Sequence, residues 1–301
     1  MSWFTGKTTL VVLGFGDSNL QGTGGYELGV QQYNPNNRFY ITNQEIAYDE
    51  LTLGWRQLSN DSTLRDVDGT GNGIFIGQRC GGNGAPSMQL ADTLQQLSGI
   101  PVYTAVGLRG GSTAEQWLDD LWPNLVAMFT AALAAMPIPQ TYADVFYISN
   151  GAGDLFWGSP RALQLVPNDP RNIGAVPPTA EQWYARWAEM RRRLIAEGFW
   201  IPGVTQIVVG DIPINQEFPA YPAWQGLQYA ISRTNDRISL ISGRGMSFDP
   251  AWNAHYTPAS YTLMGADAGT QVFNQIPNQE AVLSVGGIRV SYGGVTLRLN
   301  A

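Results

Sequence analysis

Short apolar runs alternate along this chain with segments that carry helix-start signals, and this alternation limits the folds that the chain can adopt. The runs lie at residues 9–13, 101–105, 143–149, 205–211 and 238–241. Helices are predicted at residues 87–97, from 112 or 113 onward, at 179–197 and from 257 onward. Parallel strands need a crossover between them, which is usually a helix. The order therefore predicts an α/β fold, a three-layer sandwich with helices on both faces of a mostly parallel sheet.

The helix starts are marked by residues that cap the free N–H groups of a first turn. Ser112 and Thr113 begin two overlapping capping boxes, and Thr179 begins a third. In such a box the Ser or Thr side chain accepts a hydrogen bond from the backbone three residues on, and the Glu or Gln there reaches back. Thr257 stands directly before Pro258, a pair that suits the N-cap and the first helical position.

The predicted domain division separates one large unit from a short tail. Residues 1–275 are expected to form the α/β domain, with a long irregular insertion at 23–86 that is rich in Gly, Asn and Asp. Residues 158–178 hold several prolines and are also expected to be irregular. In the tail, residues 276–301, apolar runs separated by Gly-Gly predict β-hairpins outside the main sheet.

Composition restricts the partners and cofactors that we expect. Only 14% of the residues are charged, the net charge is −7, and Lys7 is the single lysine. Neither a polyanionic nucleic acid nor an anionic membrane surface is therefore expected as a partner. One histidine, His255, and one cysteine, Cys80, cannot supply an ordinary zinc site, so no metal or other cofactor is expected. We interpret Cys80 as a structural thiol.

The sequence leaves the compartment open. No apolar run approaches the length of about 18 residues that a transmembrane helix needs. The N-terminus lacks the pattern of a signal peptide. We therefore expect a protein that stays in the cytoplasm or leaves the cell as part of a virus particle.

The segment LGFGDSNLQG, residues 13–22, carries an apolar run through two glycines into polar side chains. Glycine accepts backbone angles that other residues avoid, so we expect a tight turn that presents Ser18 at the strand end. Open α/β sheets bind their ligands at that edge. A serine hydroxyl, a histidine such as His255, and N–H donors near Gly111 and Asn150 would together suit acyl transfer. The alternative interpretation is a polar turn after a core strand.

Four short blocks occur in order over residues 9–275. They are Gly16-Asp17-Ser18-Asn19; Gly110-Gly111-Ser112-Thr113, leading to Trp117; Asn150-Gly151-Ala152-Gly153-Asp154; and His255-Tyr256-Thr257, leading to Met264-Gly265. Together they resemble the SGNH (GDSL-like) hydrolases, and more narrowly the carbohydrate O-acetylesterase branch that includes sialate-O-acetylesterase-like enzymes. The resemblance implies a flavodoxin-like α/β/α fold and serine-based ester hydrolysis.

The resemblance assigns roles to individual residues. Ser18 matches the nucleophile and His255 the base, while the backbone N–H groups of Ser18 and Gly111 match two oxyanion donors. The family's third donor is an Asn at the position of Gly153, where this chain has no side chain. In the acetylesterase branch a Gln at the position of Asn150 is the donor, so the resemblance gives this role to Asn150.

The third member of the triad also departs from the family pattern. An Asp is expected three residues before the histidine, but Trp252 stands there, and the nearest carboxylate on that side is Asp249. Asp249 completes a triad with His255 if its loop bulges toward the imidazole. Otherwise Asp249 caps a turn, and the site is a Ser–His dyad. The sequence leaves both arrangements open.

The resemblance thus implies a serine esterase that removes O-acetyl groups from a carbohydrate. The low charge and the glycine-rich tail suit a narrower expectation, a phage particle that acts on a bacterial surface polysaccharide. The tail would then serve homo-oligomer or virion assembly. The alternative is a non-catalytic glycan-binding or structural virion protein on the same fold. The missing Asn and the displaced Asp favour that alternative, whereas Ser18 and His255 favour the enzyme.

Overall fold

The computed structural model describes most of the predicted α/β domain and shorter pieces of the rest. The described residues are 3–21, 37–41, 54–56, 75–76, 85–211, 224, 226–228, 231, 238–249, 255–275, 288–292 and 295–299. The strands are β1 (Leu10–Gly16), β2 (Arg38–Ile41), β3 (Gly54–Arg56), β4 (Phe75–Ile76), β5 (Val102–Leu108), β6 (Val145–Ser149), β7 (Gln206–Gly210), β8 (Ile238–Ile241), β9 (Ile288–Tyr292) and β10 (Val295–Leu299). The helices are α1 (Ser18–Gln21), α2 (Pro86–Ser98), α3 (Ala114–Leu118), α4 (Trp122–Ala134), α5 (Ala152–Phe156), α6 (Pro160–Leu165), α7 (Ala180–Ala196) and α8 (Pro258–Asn274), with a 3-10 turn at Pro170–Asn172.

The main sheet has the strand order β3-β2-β5-β1-β6-β7-β8, with β4 paired to β5. Neighbours from β2 to β8 pair in parallel, whereas β3 and β4 are antiparallel to their partners. The five strands β5, β1, β6, β7 and β8 lie side by side in the sheet. When these five are renumbered by their order in the chain, the sheet order is 2-1-3-4-5, which is the flavodoxin-like order. The order reverses between β1 and β6, so a ligand crevice is expected beyond the carboxyl ends of these two strands.

Side chains along the strands alternate between two cores, one on each face of the sheet. From β1, Val11, Leu13 and Phe15 join a cluster with side chains of α3, α4 and α7. Leu10 and Val12 join the opposite cluster, with side chains of α2 and α8. Every residue of β1 is buried, as expected for a parallel strand covered on both faces. The predicted three-layer sandwich is confirmed.

The capping signals are used where the helices begin. Thr113 forms the capping box that starts α3, so the second of the two overlapping boxes is the one that forms. Ser112 instead accepts a hydrogen bond from the indole N–H of Trp117 at 2.8 Å. Thr179 caps α7 with a complete box, and Thr257 caps α8.

The first two glycines of segment 13–22 do not form the turn that the sequence predicts. Gly14 and Gly16 are strand residues of β1, and neither has a positive φ. A Cβ at Gly14 would lie 2.5 Å from the carbonyl oxygen of Tyr147, and one at Gly16 would lie 2.1 Å from that of Ser149. The glycines are therefore required because the backbone of β6 passes so close to β1, not because of backbone conformation.

The stretches predicted to be irregular contain regular elements. Within the insertion at 23–86, β2, β3 and β4 extend the main sheet. Apart from Asn37, the remainder up to residue 84, including Cys80, lies outside the described residues. Residues 158–178 include α6 and the 3-10 turn. In the tail, β9 and β10 pair antiparallel in a separate two-stranded sheet, as the Gly-Gly pattern predicts. Strands as short as β2 to β4 carry little local signal, because their pairing partners decide whether they form.

Two further findings concern the described ranges only. None of their helices is long and apolar enough to cross a membrane. Nor do these ranges bring together three or more His, Cys, Asp or Glu side chains that could hold a metal ion.

The close approach of β1 and β6 makes a testable prediction about Gly16. Gly16→Ala places a methyl group against the Ser149 carbonyl oxygen, so the free energy of unfolding is expected to fall by about 3 kcal/mol. Urea unfolding followed by tryptophan fluorescence measures the loss. Gly110→Ala is the matched control, because a Cβ there meets nothing within 4 Å. Equal stabilities of the two variants would contradict the steric role of Gly16.

Candidate active site

Ser18 lies where β1 gives way to α1, and its neighbour Asp17 fixes this junction. The Asp17 N–H donates to the Ser149 carbonyl at 3.0 Å, which ties the end of β1 to the end of β6. The Asp17 carboxylate accepts from the Asn19 N–H at 2.9 Å and so caps the helix that Ser18 begins. Backbone N–H groups of residues 152–153, at the start of α5, donate to the same carboxylate.

His255 lies just before α8, and its ring meets the serine. Ser18 Oγ and His255 Nε2 are 2.8 Å apart, within hydrogen-bond distance. Burial lowers the pKa of the imidazole to about 4, while the charge of Asp249 raises it in part. The ring is therefore neutral at pH 7. In the tautomer that carries its proton on Nδ1, the Ser18 hydroxyl donates to Nε2.

Asp249 lies beside His255 although it stands six positions earlier in the sequence. Phe248 and Tyr256 form an antiparallel bridge, and the Asp249 N–H donates to the His255 carbonyl at 2.9 Å. The backbones of Asp249 and His255 are therefore direct neighbours, and the triad role of Asp249 stays a prediction. Against the larger effect of burial, the Asp249 charge raises the pKa of the imidazole. Trp252, which stands where the family has its Asp, lies outside the described residues.

Asn150 is the first residue after β6. Gly16 and Ser149 are register partners, so Asp17 and Asn150 leave neighbouring strands side by side. Asn150 is only 4% exposed, and neither its Nδ2 nor its Oδ1 has a hydrogen-bond partner among the described residues. A buried polar group left without a partner costs about 1–3 kcal/mol. Such a cost at the ligand-binding edge points to a functional role, so the oxyanion donor role of Asn150 stays a prediction with structural support.

Gly111 lies in the loop after β5 and adopts the left-handed conformation, with φ +64°. The indole N–H of Trp157 donates to the Gly111 carbonyl at 2.6 Å and fixes the orientation of that peptide. A Cβ at Gly111 would lie 2.9 Å from the Trp157 ring and 3.0 Å from Nη1 of Arg171, whose guanidinium stacks on Trp157 at 3.9 Å. Both φ and the surrounding side chains therefore require glycine here.

The absence of the family's Asn at position 153 has a steric cause. A Cβ on Gly153 would lie 2.2 Å from the carbonyl oxygen of Ser112 and 2.9 Å from that of Gly111. Only glycine fits where the start of α5 passes the loop after β5. A side-chain amide cannot stand at this position of the backbone, and Asn150, three residues earlier, places an amide at the same edge of the sheet.

Asp154 is a second buried carboxylate at this edge. Its Oδ2 accepts from the N–H of Ala114, the first residue of α3, at 2.8 Å, and its Oδ1 lies 3.2 Å from Arg186. Burial raises the pKa of Asp154 to about 7, against the bonds from Ala114 and Arg186, and the charge of Asp17 adds to the rise. Burial likewise raises the pKa of Asp17 to about 6, against its own hydrogen bonds. The two carboxylates connect the starts of α1, α3 and α5.

The sequence analysis missed Tyr261, which joins the two halves of the site. Its fully buried hydroxyl donates to Asn19 Oδ1 and accepts from the Tyr256 N–H at 3.1 Å. Asn19 follows Ser18 and Tyr256 follows His255, so this one hydroxyl ties the serine loop to the histidine loop. A tyrosine on the apolar face of a helix is typical of an ordinary core residue, so the sequence held no signal of this bond.

The Tyr261 bridge predicts the effect of removing one oxygen atom. Tyr261→Phe takes away the hydroxyl that both Asn19 and Tyr256 contact, so the free energy of unfolding is expected to fall by about 1–3 kcal/mol. Urea unfolding measures it, with Tyr184→Phe as the control, since Tyr184 is 45% exposed. A Phe variant as stable as the wild type would show that the bridge does not hold the loops together.

Comparisons with known proteins place this fold among solved structures. No protein-family model and no curated protein matches the chain. A protein from Arabidopsis thaliana matches at a TM-score of 0.58 and 13% identity, covering 89% of this chain and 99% of that one. The lipase Lip_vut3 from a goat rumen metagenome matches at 0.48 and 12% identity, covering 86% and 97%. A carbohydrate acetylesterase from Xanthomonas citri matches at 0.43 and 14% identity, covering 91% and 58%. The strand order and the likeness to the Arabidopsis protein show the flavodoxin-like α/β/α fold that the sequence predicts.

Proposed function

We propose that this chain is a serine-type ester hydrolase that removes O-acetyl groups from a carbohydrate. The observation that carries the proposal is the 2.8 Å contact between Ser18 Oγ and His255 Nε2. It lies at the point where the strand order of the sheet reverses, which is where such folds bind their ligands. A hydroxyl and a neutral imidazole at this distance suit the nucleophile and the base of acyl transfer. The acetylated carbohydrate is supported by the four sequence blocks of the acetylesterase branch.

In the first half of the reaction, Ser18 Oγ attacks the carbonyl carbon of the acetyl group as its proton passes to His255 Nε2. The π electrons of the carbonyl bond move to its oxygen. This oxyanion is held by the N–H groups of Ser18 and Gly111 and by the Asn150 amide. When the intermediate collapses, the bond to the sugar oxygen breaks, and that oxygen takes the proton from His255. The acetyl group remains on Ser18.

In the second half, water replaces the sugar. His255 Nε2 takes a proton from a water molecule, whose oxygen attacks the acetyl-Ser18 carbonyl in the same oxyanion site. Collapse breaks the bond to Ser18 Oγ, which recovers its proton from His255, and acetate leaves. In this scheme Asp249 orients the imidazole and stabilises its charged form, as the third member of a triad does.

The first test removes the nucleophile and the base in turn. Ser18→Ala and His255→Ala are each expected to lower kcat/KM for 4-nitrophenyl acetate by at least about 10³-fold, with no change in melting temperature, because each removes a bond-making group. Ser242→Ala, at an exposed serine after β8, is the control and is expected to keep full activity. A wild type inert toward this ester and toward acetylated polysaccharides would favour a glycan-binding protein on an enzyme's fold.

The low pKa of His255 predicts the pH profile. The imidazole acts as a base only when deprotonated, so its protonation is expected to lower kcat/KM as the pH falls through about 4. Protonation of the Asp17 carboxylate, whose pKa is about 6, adds an earlier decline. The NMR signals of the ring, which belong to the only histidine of the chain, should also titrate at about pH 4. Asp249→Asn removes the charge that raises the pKa of the ring, so both of these midpoints near pH 4 should move lower and kcat should fall at least about ten-fold. An NMR midpoint near 6.5 for the ring contradicts the buried imidazole, and an Asn variant with unchanged kcat indicates a Ser–His dyad.

A further inference from the structure

A cavity of about 440 Å³ lies behind the loop that carries Gly111. Its walls come from the start of α3, from α5 and α7, and from the segment after the 3-10 turn, and they include Gln116, Arg186 and Val176. The volume lies within the range of about 300–1,000 Å³ that is typical of small-molecule sites. Nothing in the catalytic scheme uses this cavity.

The cavity adjoins the proposed oxyanion site. Trp157 lines it and also donates to the carbonyl of Gly111. Arg171 lines it as well, with Nη1 at 3.0 Å from the place that a Cβ of Gly111 would occupy. Gly153, a third wall residue, donates its N–H to the carboxylate of Asp17. A substrate held at Gly111 therefore has the cavity as its neighbour.

The positive charges that line the cavity are compensated by carboxylates. Arg186 is paired with Glu115 at 2.9 Å and with Asp154 at 3.2 Å. Arg171 is held by Asp169 through its Nε and Nη2 atoms, at 2.9 and 2.6 Å. These groups comprise two positive and three negative side chains, so no positive charge is left to attract an anionic ligand.

Hydrogen-bonding groups nevertheless face the cavity. The Gln116 Oε1 atom accepts a hydrogen bond from the Thr113 N–H at 3.0 Å. The side-chain NH2 group of Gln116 has no hydrogen bond within the ranges that the structure covers. Within the same described ranges, Nη1 of Arg171 and one carboxylate oxygen of Glu115 also have no hydrogen bond, so both can bind a ligand. Two donors and one acceptor match hydroxyl groups, which both donate and accept.

One part of the cavity lining, at Val176, is apolar and exposed. Val176 is 83% exposed, and Ile173 in the same segment is 82% exposed. The stacked Arg171 covers a face of Trp157, so the apolar contact for a ligand comes from the Val176 segment. Exposed apolar side chains beside polar groups suit a sugar ring, which presents C–H bonds as well as hydroxyl groups.

We infer that this cavity is a subsite for an uncharged sugar residue that neighbours the acetylated one in the substrate. The inference rests on the proposed function for the identity of the substrate. It adds that the chain acts on oligosaccharides or polysaccharides and selects neutral sugars beside the ester. Gln116, Glu115 and Arg171 bind the hydroxyl groups, and Val176 contacts the ring.

The test compares a small ester with a long substrate. Val176→Trp narrows the cavity, so the ratio of kcat/KM for O-acetylated xylo-, manno- and gluco-oligosaccharides to that for 4-nitrophenyl acetate is expected to fall at least ten-fold. Gln116→Ala should lower the same ratio. Val204→Trp is the control, at a valine that is 42% exposed and lies before β7 at the amino end of the sheet, and should leave the ratio unchanged. An unchanged ratio in Val176→Trp overturns the inference.

A binding measurement separates this inference from the proposed function. Calorimetry on the Ser18→Ala protein uses the same oligosaccharides without acetyl groups, and oligosaccharides that contain uronic or sialic acids. Neutral members should bind, and Val176→Trp should weaken that binding at least ten-fold. If the wild type cleaves no ester but this pattern holds, the subsite stands and the esterase proposal fails. Tighter binding of the acidic members, or no binding of neutral ones, overturns the subsite.

Discussion

The carboxylate of Asp17 accepts hydrogen bonds from the starts of two helices, and the position of Ser18 depends on them. One bond comes from Asn19 in the turn that Ser18 begins, and others come from residues 152–153 in the helix after Asn150. The groups on which the proposed chemistry depends belong to the loops that these bonds connect. Burial raises the pKa of Asp17 to about 6, so the molecule keeps this carboxylate at a cost in solvation. Such a cost is typical of groups that hold a functional site in place.

The site is also shaped by side chains that are absent. At Gly16, Gly111 and Gly153 a Cβ would come within 3.0 Å of backbone or side-chain atoms of neighbouring elements. These contacts bring three strand ends and their loops closer together than ordinary residues allow. The same closeness explains why position 153 holds glycine and not the Asn that the resemblance predicts. The amide of Asn150, which is buried and has no hydrogen-bond partner among the described residues, stays the predicted donor.

The loop that carries His255 is held by α8, which packs on the face of the sheet opposite to α7. Tyr261 reaches from α8 to Asn19, and the bridge between Phe248 and Tyr256 places Asp249 next to His255. The cavity lies toward the other helix layer, near Trp157 and α7. In the proposed function, the helix layer with α8 supports Ser18 and His255, and the helix layer with α7 supplies the proposed sugar subsite. The loops after β1, β5 and β6 lie between these two parts of the site.

The sequence by itself determined the α/β class, the parallel core and most helix starts, because apolar periodicity and capping residues act over a few neighbouring positions. The sequence also predicts Ser18, His255, Gly111 and Asn150 as site residues, because each belongs to one of four short sequence blocks that occur in order along the chain. Only the tertiary structure decided that the glycines of β1 serve close packing, that short strands lie within 23–86, and that Asp249 stands beside His255. Each of these depends on atoms far apart in the chain, as does the Tyr261 bridge, and no local pattern records which distant backbone a residue will meet.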